Sequence, residues 1–292
     1  MTAYENAIEI KGVTKRYEGF TLDNISFNVP KGSIMGFIGQ NGAGKTTTIH
    51  SLLNIINNDG GDISLLGLDH IKDEQEIKKR IAVVFDELPF QEMFNAKDMA
   101  RIFEGIYPEW NNNLYSQYLE RFQLPFKKKI GQFSKGMKMK LQIACALSHN
   151  AELLVMDEAT TGLDPVARDE ILHIFMEYLQ DGERSILMSS HITSDLEKIA
   201  DMVTFIHKGQ ILLTDYKDSV IETHGLIKCG KDEVKNIAEE DIVSVRTNSF
   251  GAEVLVKDRE AASYKYKGAV IDSVSLDDVM VYYVHKGERE WQ

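Results

Sequence analysis

The sequence holds only two cysteines, Cys145 and Cys229, far apart and without metal-ligand spacing. That excludes a disulfide framework or a cysteine zinc site, leaves two plain buried thiols, and fits a reducing cytosol. No stretch approaches the roughly 18–20 uninterrupted apolar residues that a membrane-spanning helix needs, so the chain is not expected to cross a membrane. Residues 1–9 lack the basic start, apolar run and small-residue cleavage site of a secretory signal, so the protein is expected to stay where it is made. A basic excess is missing as well: 33 Lys and Arg stand against 45 Asp and Glu, for a net charge of −12. Such a chain repels phosphate backbones, and nucleic acid is not expected as a partner. Internal repeats, low-complexity segments and long coiled-coil heptads are absent. Lys127, Lys128 and Lys129 form the one compact basic run, which reads as a solvated face.

What remains is ordinary globular composition, 43% hydrophobic and 27% charged, over 292 residues, enough for one large domain with an appendage or two modest ones. Short apolar, β-branched runs at 8–10, 25–29, 34–38, 63–66, 81–85, 153–156, 186–189, 203–206 and 211–213 predict strands. Helical stretches at 46–56, 135–149, 165–179 and 195–201 alternate with them, as in an α/β sheet layered by helices. Ser194 and Glu197 have the spacing of a capping box for the last of these. Residues from about 90 to 129 carry Phe94, Phe103, Tyr107, Trp110, Tyr115, Tyr118 and Phe122 at near-helical spacings. They predict a helical insertion, which with the helix that follows it spans about 90–150. Its aromatics are read first as the insertion's own core and second as a binding surface. After 217 the alternation weakens, and residues 218–292 predict a small α/β appendage to a domain of residues 1–217.

Chemistry concentrates in a few places. Gly39, Gln40, Asn41, Gly42, Ala43, Gly44, Lys45 and Thr46 fit G-x-x-x-x-G-K-[ST] between a predicted strand and a predicted helix. The glycines let the backbone turn its N–H groups inward, at the positive end of the following helix, which suits a triphosphate. Lys45 then bridges the β- and γ-phosphates while the Thr46 hydroxyl ligates Mg²⁺; Thr47 follows on the same helix. The apolar strand Leu153, Leu154, Val155, Met156 ends in Asp157 and Glu158, a Walker B pattern. Paired acids at the tip of a buried strand sit where α/β folds place ligands. Asp157 is expected in the Mg²⁺ shell, and Glu158 to orient or deprotonate the attacking water.

These elements fit many P-loop NTPases, and further motifs narrow the field. Phe133, Ser134, Lys135, Gly136 and Met137 precede a helix upstream of Asp157; Ala159 to Pro165 follow Glu158 directly; His191 ends a strand-like run beyond them. Together these resemble the signature, D-loop and switch histidine of ATP-binding cassette (ABC) transporter ATPase subunits, over about residues 8–217. The resemblance implies a P-loop ABC cassette with a mixed β-sheet core, a helical insertion subdomain and a small α/β appendage. It implies that two cassettes sandwich ATP, with Ser134 and Gly136 reaching the γ-phosphate held by the opposite chain and Asp164 lying across the interface. Tyr17 sits where the family stacks an aromatic on adenine; an ordinary core tyrosine is the alternative. Glu158, His191 and Lys45 form the implied catalytic set. Lys135 and Met137 depart from the usual signature glycine and glutamine. Asp86 stands where the family has the Q-loop glutamine, which touches the metal or attacking water; it can instead cap a turn, with Glu87 or Gln91 as sensor.

The expected function is that of a peripheral ATPase on the cytoplasmic face of a membrane, with ATP and Mg²⁺ as cofactors. Its partners are a second cassette and an integral membrane permease subunit on another chain. The subfamily resembled is that of separately encoded exporter cassettes, such as those for peptides or antimicrobials. Two alternatives are a soluble ABC ATPase unconnected to transport and a non-catalytic partner cassette; Glu158 and His191 argue against the second. One or more of Phe94, Tyr107 and Trp110 is expected to line a groove for a short cytoplasmic helix of the membrane subunit.

Overall fold

The computed structural model describes residues 4–286. The chain opens with β1 (Asn6–Tyr17), β2 (Phe20–Pro30), β3 (Ile34–Ile38), α1 (Lys45–Leu52), β4 (Gly60–Leu65), β5 (Leu68–Asp69), α2 (Glu74–Arg80) and β6 (Ile81–Val84). A helical stretch follows, with α3 (Ala96–Ile106), α4 (Asn112–Arg121) and α5 (Lys135–Ala146). Alternation then resumes as β7 (Leu153–Asp157), α6 (Pro165–Tyr178), β8 (Ser185–Ser190), α7 (Thr193–Ile199), β9 (Met202–His207) and β10 (Gln210–Tyr216). The remainder is α8 (Lys217–Thr223), β11 (Gly225–Cys229), β12 (Ile242–Thr247), β13 (Ala252–Val256), α9 (Arg259–Lys265), β14 (Val270–Asp272) and α10 (Leu276–Val284).

The central sheet runs β10-β9-β3-β8-β7-β6, parallel except for the β9/β10 pair. β3, β7 and β8 are buried along their whole length. Their side chains alternate between two cores, as a strand covered on both faces requires. Met35, Phe37, Leu153, Val155 and Leu187 face a cluster shared with the antiparallel sheet β2-β1-β4-β5, where Phe27 stacks on Phe37 at 5.2 Å. Ile34, Ile38, Leu154, Met156, Ile186 and Met188 face the other, under α5, α6 and α7. The carboxyl ends of β3, β8 and β7 therefore lie side by side.

The helical insertion spends most of its aromatics on its own interior. Tyr115 and Phe122 are buried, and Phe103 stacks on Tyr107 at 5.6 Å and on Trp110 at 5.3 Å. The appendage is an antiparallel sheet, β12-β13-β11-β14. One face forms a small core with Ala262 of α9, and the other, through Val243, Leu255 and α10, joins the core of the central sheet.

Several boundaries differ from expectation. α1 ends at Leu52 because Asn54 turns into the left-handed region at φ 54°, which asparagine tolerates. α7 begins at Thr193 after Ile192, with no side-chain cap, so the expected capping box of Ser194 and Glu197 is not formed. Glu197 is used elsewhere: its Oε1 accepts the Leu276 N–H at 2.6 Å. β5, β11 and β14 were not visible in the sequence, being short and set by pairing with their neighbours.

Candidate nucleotide-hydrolysis site

The loop between β3 and α1 is shaped by two close approaches. A Cβ on Gly39 would stand 2.5 Å from the Ile206 carbonyl oxygen, and Gly44 has φ +116°, which side chains rarely adopt. Gln40, Asn41 and Gly42 are exposed, and Ala43 is buried and passes its carbonyl to the Gly209 N–H at 2.9 Å. α1 starts with no side-chain cap and no acid in its first turn. Its first N–H groups and the positive end of its dipole are thus left to an anion. The Lys45 ammonium, nearly fully buried, donates to the carbonyls of Gly39 at 2.7 Å and Gln40 at 3.2 Å.

Lys45 also lies 3.1 Å from Glu158 Oε1, and two segments distant in sequence, with one neighbouring residue, converge on that carboxylate. Thr161 Oγ1 donates to Oε2 at 2.9 Å, and His191 Nδ1 lies 2.5 Å from the same oxygen. Burial alone would raise the Glu158 carboxyl. The hydrogen bond and charge of Lys45, with Thr161 and His191, outweigh it and hold the group below the usual range. The Glu158 backbone is itself unusual, with φ +56°, a conformation of order 1 kcal/mol or more above the common wells and concentrated at functional sites. Ser189 holds it there: its Oγ accepts the Glu158 N–H at 3.1 Å while donating to Asp157 Oδ1 at 2.6 Å. Ser189 and Thr161 were missed from the sequence. The only available signal was a hydroxyl at the tip of a strand next to the one ending in paired acids.

Asp157 is buried at the end of β7, against which α1 packs, so the helix carrying Thr46 and Thr47 and the strand ending in Asp157 are neighbours. A hydroxyl and a carboxylate are hard oxygen donors, the chemistry that Mg²⁺ takes. Asp86, the third expected metal contact, pairs its carboxylate with Lys135 Nζ at 2.7 Å. Among the described residues no hydrogen bond or ion pair joins it to Thr46 or Asp157. The physical reason is that Lys135, on the first turn of α5, supplies a cation within reach. α5 is also tied to this segment by Gln142, which donates to the Phe85 carbonyl at 3.0 Å and accepts its N–H at 3.2 Å.

Of the residues expected to act across two chains, Ser134 and Asp164 lie at the surface and serve as helix caps within this one. Ser134 accepts the Met137 N–H at 3.2 Å at the start of α5, and Asp164 accepts the N–H groups of Val166 and Ala167 at the start of α6. Asp164 lies below the usual carboxyl range because of those backbone bonds, led by Ala167. Gly136 has space within the chain: an added Cβ would meet only Leu163 Cδ2, at 3.5 Å. Tyr17 is 47% exposed at the end of β1, which does not suit a core tyrosine. Phe20, across the same hairpin, touches the position a Gly44 Cβ would take at 3.1 Å, so the hairpin stands beside the loop.

Of the three aromatics from which one or more was expected in a groove, Tyr107 lines one. A cavity of about 840 Å³ between α1, α2, β6 and α3 is lined by Leu52, Ile55, Ile77, Phe103, Ile106 and Tyr107, with Lys78 and Lys79 along one wall. Trp110 instead stacks on Phe103 and hydrogen-bonds Asn112, and Phe94 packs against the core of the insertion. The aromatic pattern showed a helical core and could not separate its wall from its interior. No helix among the described residues is long and apolar enough to cross a membrane.

Comparison with known proteins agrees with this geometry. The sequence model described as "ABC transporter" matches residues 22–161. The bacitracin transport ATP-binding protein BcrA of Bacillus licheniformis is 38% identical over 208 residues, 70% of this chain and 68% of that protein. The lantibiotic transport ATP-binding protein SrtF of Streptococcus pyogenes is 31% identical over 217 residues, covering 70% and 89%. A solved structure described as an ATP-binding subunit of an ABC transporter superposes with a TM-score of 0.67 at 26% identity, covering 73% of this chain and 91% of that one. With the phosphate loop, the acid pair and the histidine brought together on a mixed sheet, the chain belongs to the ATP-binding subunits of ABC transporters, ATPases whose turnover drives transport.

Proposed function

We propose that this chain powers export of a peptide or other amphipathic antimicrobial, on the cytoplasmic face of the membrane, by ATP-dependent pairing of two cassettes beneath a separate membrane subunit. The observation that carries the hydrolytic part is the convergence of Lys45, Thr161 and His191 on Glu158. A β- or γ-phosphate entering the loop competes with Glu158 for the Lys45 ammonium. Once Lys45 turns to phosphate, burial is left less opposed and the carboxylate becomes a stronger base toward water, with His191 keeping it aimed. Thr46 and Asp157 are the residues that would hold Mg²⁺, which supplies charge neutralisation at the phosphates. Asp86 is assigned to Lys135 rather than to the metal.

Pairing of two cassettes is supported by the exposed edge formed by Ser134, Asp164 and Val166, the last 80% exposed. Glycine within a helix costs about 1 kcal/mol relative to alanine. Nothing inside the chain requires it at Gly136, so close approach from outside accounts for it. Tyr17 offers an adenine ring a flat face next to the loop. The groove lined by Ile106 and Tyr107 is assigned to a short cytoplasmic helix of the membrane subunit: an amphipathic helix with apolar anchors, and acids facing Lys78 and Lys79, complements it.

The cargo class rests on the relatives' bacitracin and lantibiotic transport. The test is a strain lacking this chain, challenged with bacitracin and a lantibiotic. Restored tolerance with the parent chain and none with Lys45→Ala supports export; unchanged sensitivity in the deleted strain overturns the assignment of these cargoes.

A further inference from the structure

Only Ile192 separates His191 from α7, so the helix fixes the histidine from one side as β8 fixes it from the other. α7 has seven residues, too few to hold a position by its own hydrogen bonds; it rests on β3, with Leu196 over Gly36, and is gripped from α6 and from the appendage. From α6, Asp169 pairs with Lys198 at 2.8 Å, while Arg168 stays 3.8 Å from the buried Asp195, whose Oδ2 has no hydrogen-bond partner among the described residues. From the appendage the contact is closer: the Leu276 N–H donates to Glu197 Oε1 at 2.6 Å, and Thr193 Oγ1 donates to Asp277 Oδ1 at 3.4 Å. Leu276 also buries its side chain in the core cluster that holds Leu196 and Ile199.

The Leu276 contact follows from helix-end chemistry. Ser275 already caps α10 by accepting the Asp278 N–H at 3.1 Å, which leaves the Leu276 N–H as a first-turn donor. A carboxylate is favoured at that positive end: Asp278 of α10 itself takes the Ser275 N–H at 2.9 Å in a capping box, and the Leu276 N–H goes to Glu197 of α7. Lys217 Nζ, at the start of α8, donates to the Glu197 carbonyl at 2.9 Å and closes the grip from the same side.

We infer that the C-terminal appendage is a positioning element of the ATP site: Glu197, bound to the start of α10, holds α7 and with it the His191 ring against Glu158. The inference rests on the assignment of His191 to hydrolysis. A displacement of the appendage then changes turnover without touching nucleotide.

The experiment measures ATP turnover by the full chain with its membrane subunit, for Glu197→Ala, Glu197→Gln, His191→Ala and the Glu197→Ala/His191→Ala double variant. Glu197→Ala is expected to lower kcat about five- to tenfold with KM for ATP within about twofold, the pattern of lost transition-state alignment. Glu197→Gln, which keeps the acceptor, should recover most of the rate, and the double variant should match His191→Ala alone. Melting curves accompany each variant. If Glu197→Ala does not fold, Asp277→Ala replaces it in the same cycle and should give a smaller loss in the same direction. A parent rate in Glu197→Ala, or an equal loss with and without His191, overturns the inference. A parent rate in His191→Ala refutes the role of the histidine itself, an outcome distinct from failure at Glu197 alone.

Discussion

The nucleotide-facing edge of the central sheet and the C-terminal appendage are joined by contacts of opposite character. At the edge, Lys45, Thr161, His191 and Glu158 meet side chain to side chain, and the proposed hydrolysis asks for particular residue types there. In the appendage the grip on α7 runs largely through main-chain groups and apolar faces: the Leu276 N–H, the Glu197 carbonyl and the buried Leu276, Val279 and Met280. The first kind of contact leaves a motif in the sequence. The second asks only for an acceptor and an apolar residue in the right place, and many sequences meet it.

The largest effect expected from breaking this comparison is removal of the appendage. Val243, Leu255, Val274, Leu276, Val279, Met280 and Tyr282 share one core cluster with Leu196, Ile199 and Phe205. At about 1.5–3 kcal/mol for each large side chain exposed, the loss rivals the roughly 5–15 kcal/mol that stabilises a whole protein. A chain ending at Tyr216 is expected to lose its cooperative melt and aggregate, as followed by circular dichroism and gel filtration. A melt within about 5 °C of the parent would mean that the two regions are energetically separate.

A middle-sized effect is expected at the groove. Ile106 is 61% exposed and lines it. Ile106→Glu should therefore leave stability within about 0.5 kcal/mol, as exposed substitutions generally do, yet abolish co-purification with the membrane subunit. Retained co-purification would show that this wall of the groove carries no partner.

The smallest effect belongs to the Asp86–Lys135 pair, whose side chains are 44% and 51% exposed. Exposed pairs contribute about 0–1 kcal/mol, so Asp86→Ala should barely move the melting temperature. Half-maximal Mg²⁺ for ATP turnover should stay within about twofold in Asp86→Ala and Asp86→Gln, since a direct metal ligand is worth far more than that. A clearly raised Mg²⁺ requirement in the alanine variant would return Asp86 to the metal.

What was legible in the sequence follows the same division. β3, β7 and β8 were plain because strands buried on both faces are continuous apolar runs, and Gly39 to Thr46, Asp157, Glu158 and His191 were plain because phosphate and proton chemistry restrict the side chains. Ser189 and Thr161 were hidden because a hydroxyl can serve anywhere, and only the register of β7 with β8 sets Asp157 opposite Ser189. Asp86 was placed from alignment to the family pattern, which carries no information about Lys135 as a nearby cation. Tyr107 and Trp110 share one helical pattern, and the turn after α3 decides which of them meets the groove. Glu197 fitted a capping box in sequence, and tertiary structure gave its carboxylate to a helix nearly 80 residues away.

The most direct test of the hydrolytic site is the substitution Glu158→Gln, measured for ATP binding and ATP turnover in the assembled transporter. The amide keeps the shape of the side chain but accepts a proton far less readily. Binding should stay within about threefold of the parent while turnover falls roughly a hundredfold or more, the range for a lost general base. Turnover within a few fold of the parent would contradict the assignment of Glu158 as the group that activates water.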